Sequence, residues 1–347
     1  MWVVKYPHLG PRVRGIKARM LQPDQLKNLV MLGSVDDLLA QLSQTSYRAA
    51  VEKLTRETPP GVAQEAILSH VFGELYEASL TMPNAAKEAS LTYLMRYEAD
   101  NVKSVARLMI LGKFSREASE KAISWVFEDL MGRRFIFAEL LNASNLEELA
   151  SRARLLNHPT AEYLSRAIEL SRDYPAYGEA IVETLLDKSW IEPLLKFDEP
   201  IKTVAEYMAD FYNVNLVLRG KLWGLPPQLV EDLVVKTRRS GEFLKAYGVE
   251  APRMIEELSQ VPVVNAVLTL GISELRDVVR YLHIAYYSTF RRFALGILNE
   301  ETEFSPASAL AMVHLRDLEA QVISSIYNVV WSNAERVVRE RMYLILM

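Results

Sequence analysis

A signature of four residue types recurs in this chain at a fixed distance, and it restricts the fold more than any bulk property does. Glu98-Ala99-Asp100-Asn101 leads to Arg107 and then to Gly112, while Asp210-Phe211-Tyr212-Asn213 leads to Arg219 and then to Gly224. Both read acid-x-x-Asn-x5-Arg-x4-Gly, and the two asparagines stand 112 residues apart. The apolar positions agree too: Val102, Val105 and Ala106 answer to Val214, Val217 and Leu218. Apolar residues at i, i+3 and i+4 mark one face of an α-helix. Each copy is therefore a helix with the same inward face and the same ending, which points to a duplicated helical unit.

A third copy has decayed. One frame takes Glu319 as the acid, with Val322 in place of Asn, Asn328 in place of Arg and Asn333 in place of Gly. Another takes Asn333 and Arg339, which keeps Asn-x5-Arg and loses the acid. The frames differ by 11 residues, about three helical turns, so helical periodicity does not separate them. The first is preferred because Val322 follows Asn213 by 109 residues, close to the first interval. It also sets Asn333 against the glycines, and asparagine is the next-best residue for a left-handed helix ending. Gly112 and Gly224 are expected to end their helices at positive φ, with Pro226 blocking continuation of the second. Ser115 and Ser34 are placed to cap the helices that follow them. The units run 1–112, 113–224 and 225–333, and a terminal amphipathic helix completes the third range, 225–347.

The rest of the chain is also helical in pattern. Ile123, Val126, Phe127 and Leu130 repeat the one-face spacing, as do Leu275, Val278, Val279 and Leu282. Interruptions such as Thr58-Pro59-Pro60-Gly61, Leu225-Pro226-Pro227 and Phe304-Ser305-Pro306 are short. No strand-like alternation or βαβ pattern emerges, so the fold class is all-α. The longest uncharged stretch, Leu258–Ser273, contains Pro262, Asn265 and Gly271 and falls short of the roughly 20 apolar residues of a membrane span. The first twenty residues carry Lys5, Arg12, Arg14, Lys17 and Arg19 and no acid. They read as a basic first helix, because a targeting peptide wants a continuous apolar region or a serine-rich composition.

Catalytic chemistry finds no foothold. Gly112-Lys113 and Gly220-Lys221 evoke a phosphate-binding loop, which needs Gly-x4-Gly-Lys-Ser/Thr. Arg107 and Asn215 stand where the first glycine belongs, and Phe114 and Leu222 where the hydroxyl belongs. His8, His70, His158, His283 and His314 never fall within one helical turn of each other, and no Glu-x-x-His pair of a helical carboxylate site occurs. Asp36-Asp37 lacks the third acid of a prenyl-transfer Asp-Asp-x-x-Asp motif and reads as the acidic first turn behind Ser34. With no cysteine in the chain, thiolate nucleophiles, disulfides and cysteine-bound metals are excluded. A net charge of −4 argues against a nucleic-acid partner. The aromatic run His283, Tyr286, Tyr287, Phe290 and Phe293 scatters around a helix and reads as core or protein interface. No cofactor, metal or small-molecule substrate is expected.

Glu98 and Arg107 lie nine residues apart, about 13.5 Å along a helix and half a turn out of phase. They cannot pair with each other, nor can Asp210 with Arg219. Each arginine is therefore expected to tie its helix to an adjoining one.

The repeated acid-x-x-Asn helix with its Arg and Gly, the units of about 110 residues, the acid-poor segment Arg12-Val13-Arg14-Gly15-Ile16-Lys17 and Tyr47 together resemble one family. It is that of the C subunit of archaeal-type ATP synthases, equivalent to the d subunit of vacuolar proton pumps, and the resemblance covers essentially the whole chain. It implies a funnel of three similar helical units about a pseudo-threefold axis. Such a part is a non-catalytic central-stalk adaptor that links the membrane rotor ring to the stalk and transmits torque. The implied partners are the proteolipid subunits of the ring and the D and F subunits of the central stalk. The implied location is the cytoplasmic face of the membrane, with membrane contact only through the ring. An unrelated helical-repeat scaffold for binding proteins is the alternative, although such repeats run at about 20 to 50 residues.

Overall fold

A computed structural model describes residues 6–346, so Lys5 lies outside the described part. The elements are α-helices with two short 3-10 turns, and no strand occurs among the described residues. Seven of the longer helices organise the chain: α1 (Leu9–Arg19), α2 (Pro60–Leu80), α3 (Arg96–Ile110), α4 (Gly178–Leu194), α5 (Ile201–Trp223), α6 (Leu275–Glu301) and α7 (Pro306–Trp331). Shorter helices between them are given below by their residues. No described helix is long and apolar enough to cross a membrane.

The contacts gather the chain into two compact units. One combines the chain up to Ser90 with everything from Lys245 onward; the other runs from Leu91 to Leu244. In the first, α7 is the central element. Ser305 caps it by accepting from the Ala307 N–H at 3.2 Å, and Pro306 opens it where a missing N–H costs nothing. It is buried continuously from Pro306 to Ala320, the charged residues Arg316, Asp317 and Glu319 included. It packs against α1, α2 and α6 and against the short helices Pro23–Val30 and Val35–Leu42. Tyr286, Tyr287 and Phe290 of the aromatic run are buried, and the Phe290 ring lies edge-on to His314 at 4.5 Å.

In the second unit, α4 is the hub. It packs on α3, on α5 and on the helix Ala161–Asp173. Burial of Val102, Val105 and Ala106 on α3, and of Val214, Val217 and Leu218 on α5, turns the matched apolar stripes inward.

One expected helix is broken. Ile123 does not share a helix with Val126, Phe127 and Leu130: Arg116–Ala122 ends before it, and a new helix starts at Trp125. Ile123 and Phe127 are buried, whereas Val126 and Leu130 are exposed. The break falls where the backbone of Ser124 is claimed by a side chain of α3.

Candidate functional site

That side chain is Asn101. Its amide nitrogen donates to the Ser124 carbonyl at 3.0 Å while its oxygen accepts from the Ser124 N–H at 2.9 Å. Asn213 does the same on α5, donating to the Val235 carbonyl and accepting from its N–H, both at 2.8 Å. A carboxamide presents one donor and one acceptor side by side, which matches the N–H and C=O of one extended residue. Each motif asparagine thus clamps a residue 23 or 22 positions downstream, just past a helix end where the backbone groups have no helical partner. Val322 of α7 is buried and its side chain has no polar atom, so the third copy lacks this clamp.

The acids are anchored as well, each differently. Glu98 is buried, with Arg133 Nε 2.7 Å and His158 Nε2 3.1 Å from its Oε1. His158 Nδ1 lies 2.7 Å from the Thr160 hydroxyl and 3.3 Å from the Thr160 backbone nitrogen, which holds the ring with Nε2 towards the carboxylate. Asp210 accepts from the Thr237 hydroxyl at 2.8 Å and faces Arg239 at 3.9 Å; burial pushes its carboxyl above the usual range. Glu319 is buried on α7 and accepts from the Tyr47 hydroxyl, the Leu21 N–H and Arg316. In the first two copies the anchoring groups follow the motif helix in sequence. For the third, Leu21 and Tyr47 come from the beginning of the chain.

The helix endings agree across all three. Gly112, Gly224 and Asn333 have φ of 63°, 68° and 49°. Past each, the next residue's N–H reaches back five positions: Lys113 to Leu108, Leu225 to Gly220 and Ala334 to Val329, at 2.9–3.0 Å. This is the six-to-one bond of a Schellman ending. Ser34 and Ser115 cap as expected, accepting from the N–H groups of Asp37 and Ala118.

The two arginines part company. Arg107 ties α3 to α4 through Glu179, 2.8 Å from its Nε, and through Glu183. Arg219 is exposed and has no partner among the described residues, which corrects the expectation of a shared tie. At the 109-residue interval that sets Val322 against Asn213, Glu179 and Glu183 fall on Ser288 and Arg292, neither of them an acid.

Nothing in the sequence singles out Arg316, although it carries the densest polar site. Its side chain is 1% exposed, and it donates to Glu319 at 2.6 Å, Glu74 at 3.0 Å, Ser46 Oγ at 3.1 Å and the Arg19 carbonyl at 3.1 Å. The guanidinium also lies over the Tyr47 ring, 4.4 Å from its centre. A planar fork with five donors can meet several oxygens at once. An arginine, an acid three residues on and a tyrosine in the chain's first fifty residues are the only sequence traces of this site.

These sites clamp, cap and neutralise; they hold no arrangement of nucleophile, base and oxyanion donors. The family model of the ATP synthase (C/AC39) subunit matches residues 9–341. Among curated proteins, the C subunit of the A-type ATP synthase of Methanocaldococcus jannaschii is 23% identical over 68% of this chain and 61% of its own length. That of Thermoplasma volcanium is 26% identical over 60% of this chain and 62% of its own length. The alignments thus span less than two thirds of either protein. The d1 subunit of the V-type proton ATPase of Arabidopsis thaliana is 23% identical over 93% of this chain and 90% of its own length. With a family model spanning nearly the whole sequence, and helices that repeat the same clamp and the same ending, the chain belongs to the ATP synthase (C/AC39) subunit family.

Proposed function

We propose that the chain is the non-catalytic adaptor of a rotary A/V-type ATPase, joining the membrane rotor ring to the central stalk and passing torque between them. The observation that carries this reading is the family match over residues 9–341. The three repeat ranges, 1–112, 113–224 and 225–347, form similar units about a pseudo-threefold axis, with one end on the proteolipid ring and the other receiving the D and F subunits of the stalk. The adaptor works at the cytoplasmic face and touches the membrane only through the ring. A part that transmits torque needs stiffness, and the observed devices supply it. Amide clamps at Asn101 and Asn213, the buried ion pair at Glu98, and the bonds of Glu319 and Arg316 to Leu21, Tyr47 and Glu74 tie helices to neighbouring segments, while Schellman endings at Gly112, Gly224 and Asn333 close the helix ends. Each such bond resists local opening.

Two measurements test the proposal together. The purified chain is expected to show no ATP hydrolysis; turnover abolished by Lys113→Ala would refute the non-catalytic reading. In the assembled machine, omitting the chain is expected to leave ring and stalk separable on gel filtration. A ring that stays attached to the stalk without it would refute the adaptor role.

A further inference from the structure

The unpaired arginine does not stand on open surface. Within the Leu91–Leu244 unit, a groove of about 550 Å³ runs between the C-terminal ends of the two motif helices. Arg107, held by Glu179 and Glu183, forms one wall; Arg219 and Trp223 of α5 form the other; Tyr177 closes the side. The Tyr177 hydroxyl donates to the Gly224 carbonyl at 2.9 Å and holds that wall against the turn before α4. Arg219 and Trp223 are four residues apart on one helix and so share a face. The indole is 44% exposed, and the guanidinium keeps all its donors.

We infer that this groove docks a segment of a partner protein that sets a single carboxylate beside a large apolar side chain. The carboxylate meets Arg219 and the apolar group covers Trp223. Three observations select this occupant. Arg107 finds its acids, Glu179 and Glu183, within the chain, and the positions that would match them for Arg219 hold no acid. Glu179 and Glu183 are engaged with Arg107 on the opposite wall, so Arg219 is the one charged side chain of the groove without an ion-pair partner among the described residues, which a single carboxylate satisfies and an acidic run would exceed. Arginine and tryptophan are also both among the residue types enriched in the side chains that dominate protein interfaces. A nucleic acid is disfavoured by Glu179 and Glu183 lining the same groove.

The inference rests on the adaptor reading for its choice of partner, which is another subunit of the same ATPase. The full-length chain is added back to purified ATPase of the same source stripped of it, and rebinding is titrated. Arg219→Glu is expected to weaken rebinding at least about tenfold, and Arg219→Lys to fall between it and the unsubstituted chain. Unchanged circular dichroism would verify that the exposed substitution leaves the fold intact. A photo-crosslinking amino acid at position 223 is expected to capture a segment of another subunit with an acid within one helical turn of an apolar residue. Rebinding of Arg219→Glu with unchanged affinity, capture of a second copy of this chain, or capture of a segment without an acid would each overturn the groove assignment and leave the adaptor reading standing. Failure of the unsubstituted chain to rejoin would overturn the adaptor reading and the groove with it.

Discussion

Glu128 lies beneath the first motif helix, where it accepts from Asn101 at 2.8 Å. Burial pushes its carboxyl up to about 8, and the neighbouring Glu98 carboxylate adds to this; Asn101 and Arg133 pull the other way, and Asp129 pushes slightly up. The folded chain therefore keeps a proton that the unfolded chain gives up near the ordinary value of 4.5. Between these two values folding takes up a proton, so the Glu128 contribution to stability is full below about pH 4.5 and falls as pH rises towards 8. Glu128→Gln keeps the hydrogen bond from Asn101 and cannot ionise. Relative to the unsubstituted chain, it is expected to gain roughly 2–4 kcal/mol between pH 5 and pH 8. Urea unfolding followed by fluorescence at several pH values measures this, with Trp125 as the nearby reporter. A stability difference that does not change with pH would show that Glu128 ionises freely in the folded chain. Arg219 makes the opposite point at the same scale, since the sequence motif marked it as equivalent to Arg107 and only its neighbours made it different.

Among the elements, α3 and α5 show what the repeated asparagine is for. A helix followed by short turns leaves carbonyl and N–H groups without partners, and buried groups of that kind cost about 1–3 kcal/mol each if unmet. Asn213 meets both groups of Val235 from one buried side chain. Asn213→Ala is expected to destabilise the Leu91–Leu244 unit by about 2–4 kcal/mol, through two orphaned backbone groups and a small cavity. Asn213→Asp retains the acceptor and loses the donor, so its loss is expected to be smaller at acid pH, where the carboxyl can donate. Thermal melts of the three chains check this order; an Asn213→Ala chain that melts with the parent would show that the clamp is idle. The same clamp explains why the Ile123–Leu130 stripe broke. Helical spacing is a local property, and a side chain from a different helix overrode it at Ser124.

At the level of the whole molecule, Arg316 joins parts of the chain that sequence holds far apart. It binds Arg19, Ser46 and Glu74 from near the beginning of the chain and Glu319 from its own helix near the end. Removing one partner of a buried ion pair leaves the other charged and unpaired, at a cost of about 3–5 kcal/mol. Arg316→Ala is expected to lose that much stability. It should also make the chain between Arg19 and Ser46 the first to be cut in limited proteolysis. Arg316→Lys is expected to rescue little, because one ammonium cannot reach oxygens on four segments. Cleavage that begins elsewhere, in the Leu91–Leu244 unit for instance, would refute the role of Arg316 as the tie.

Apart from the Ile123–Leu130 stripe, the helical pattern, its apolar faces, the serine caps and the helix-ending role of Gly112, Gly224 and Asn333 were readable from the sequence. Each depends on residues within a turn or two of one another, where the 3.6-residue period and the ease of positive φ at glycine or asparagine decide the outcome. The 112-residue interval likewise marked Glu98, Asn101, Arg107 and their counterparts as positions with a shared task. What each of them touches was decided only in the tertiary structure. Asn101 and Asn213 reach a backbone just over twenty residues away, Glu319 reaches one 298 residues away, and Arg219 reaches none among the described residues. Periodicity states which side of a helix faces inward, but not which other helix lies there. Partner identity at a buried charge depends on that second fact, because a side chain bonds only what packing brings within about 3 Å of it.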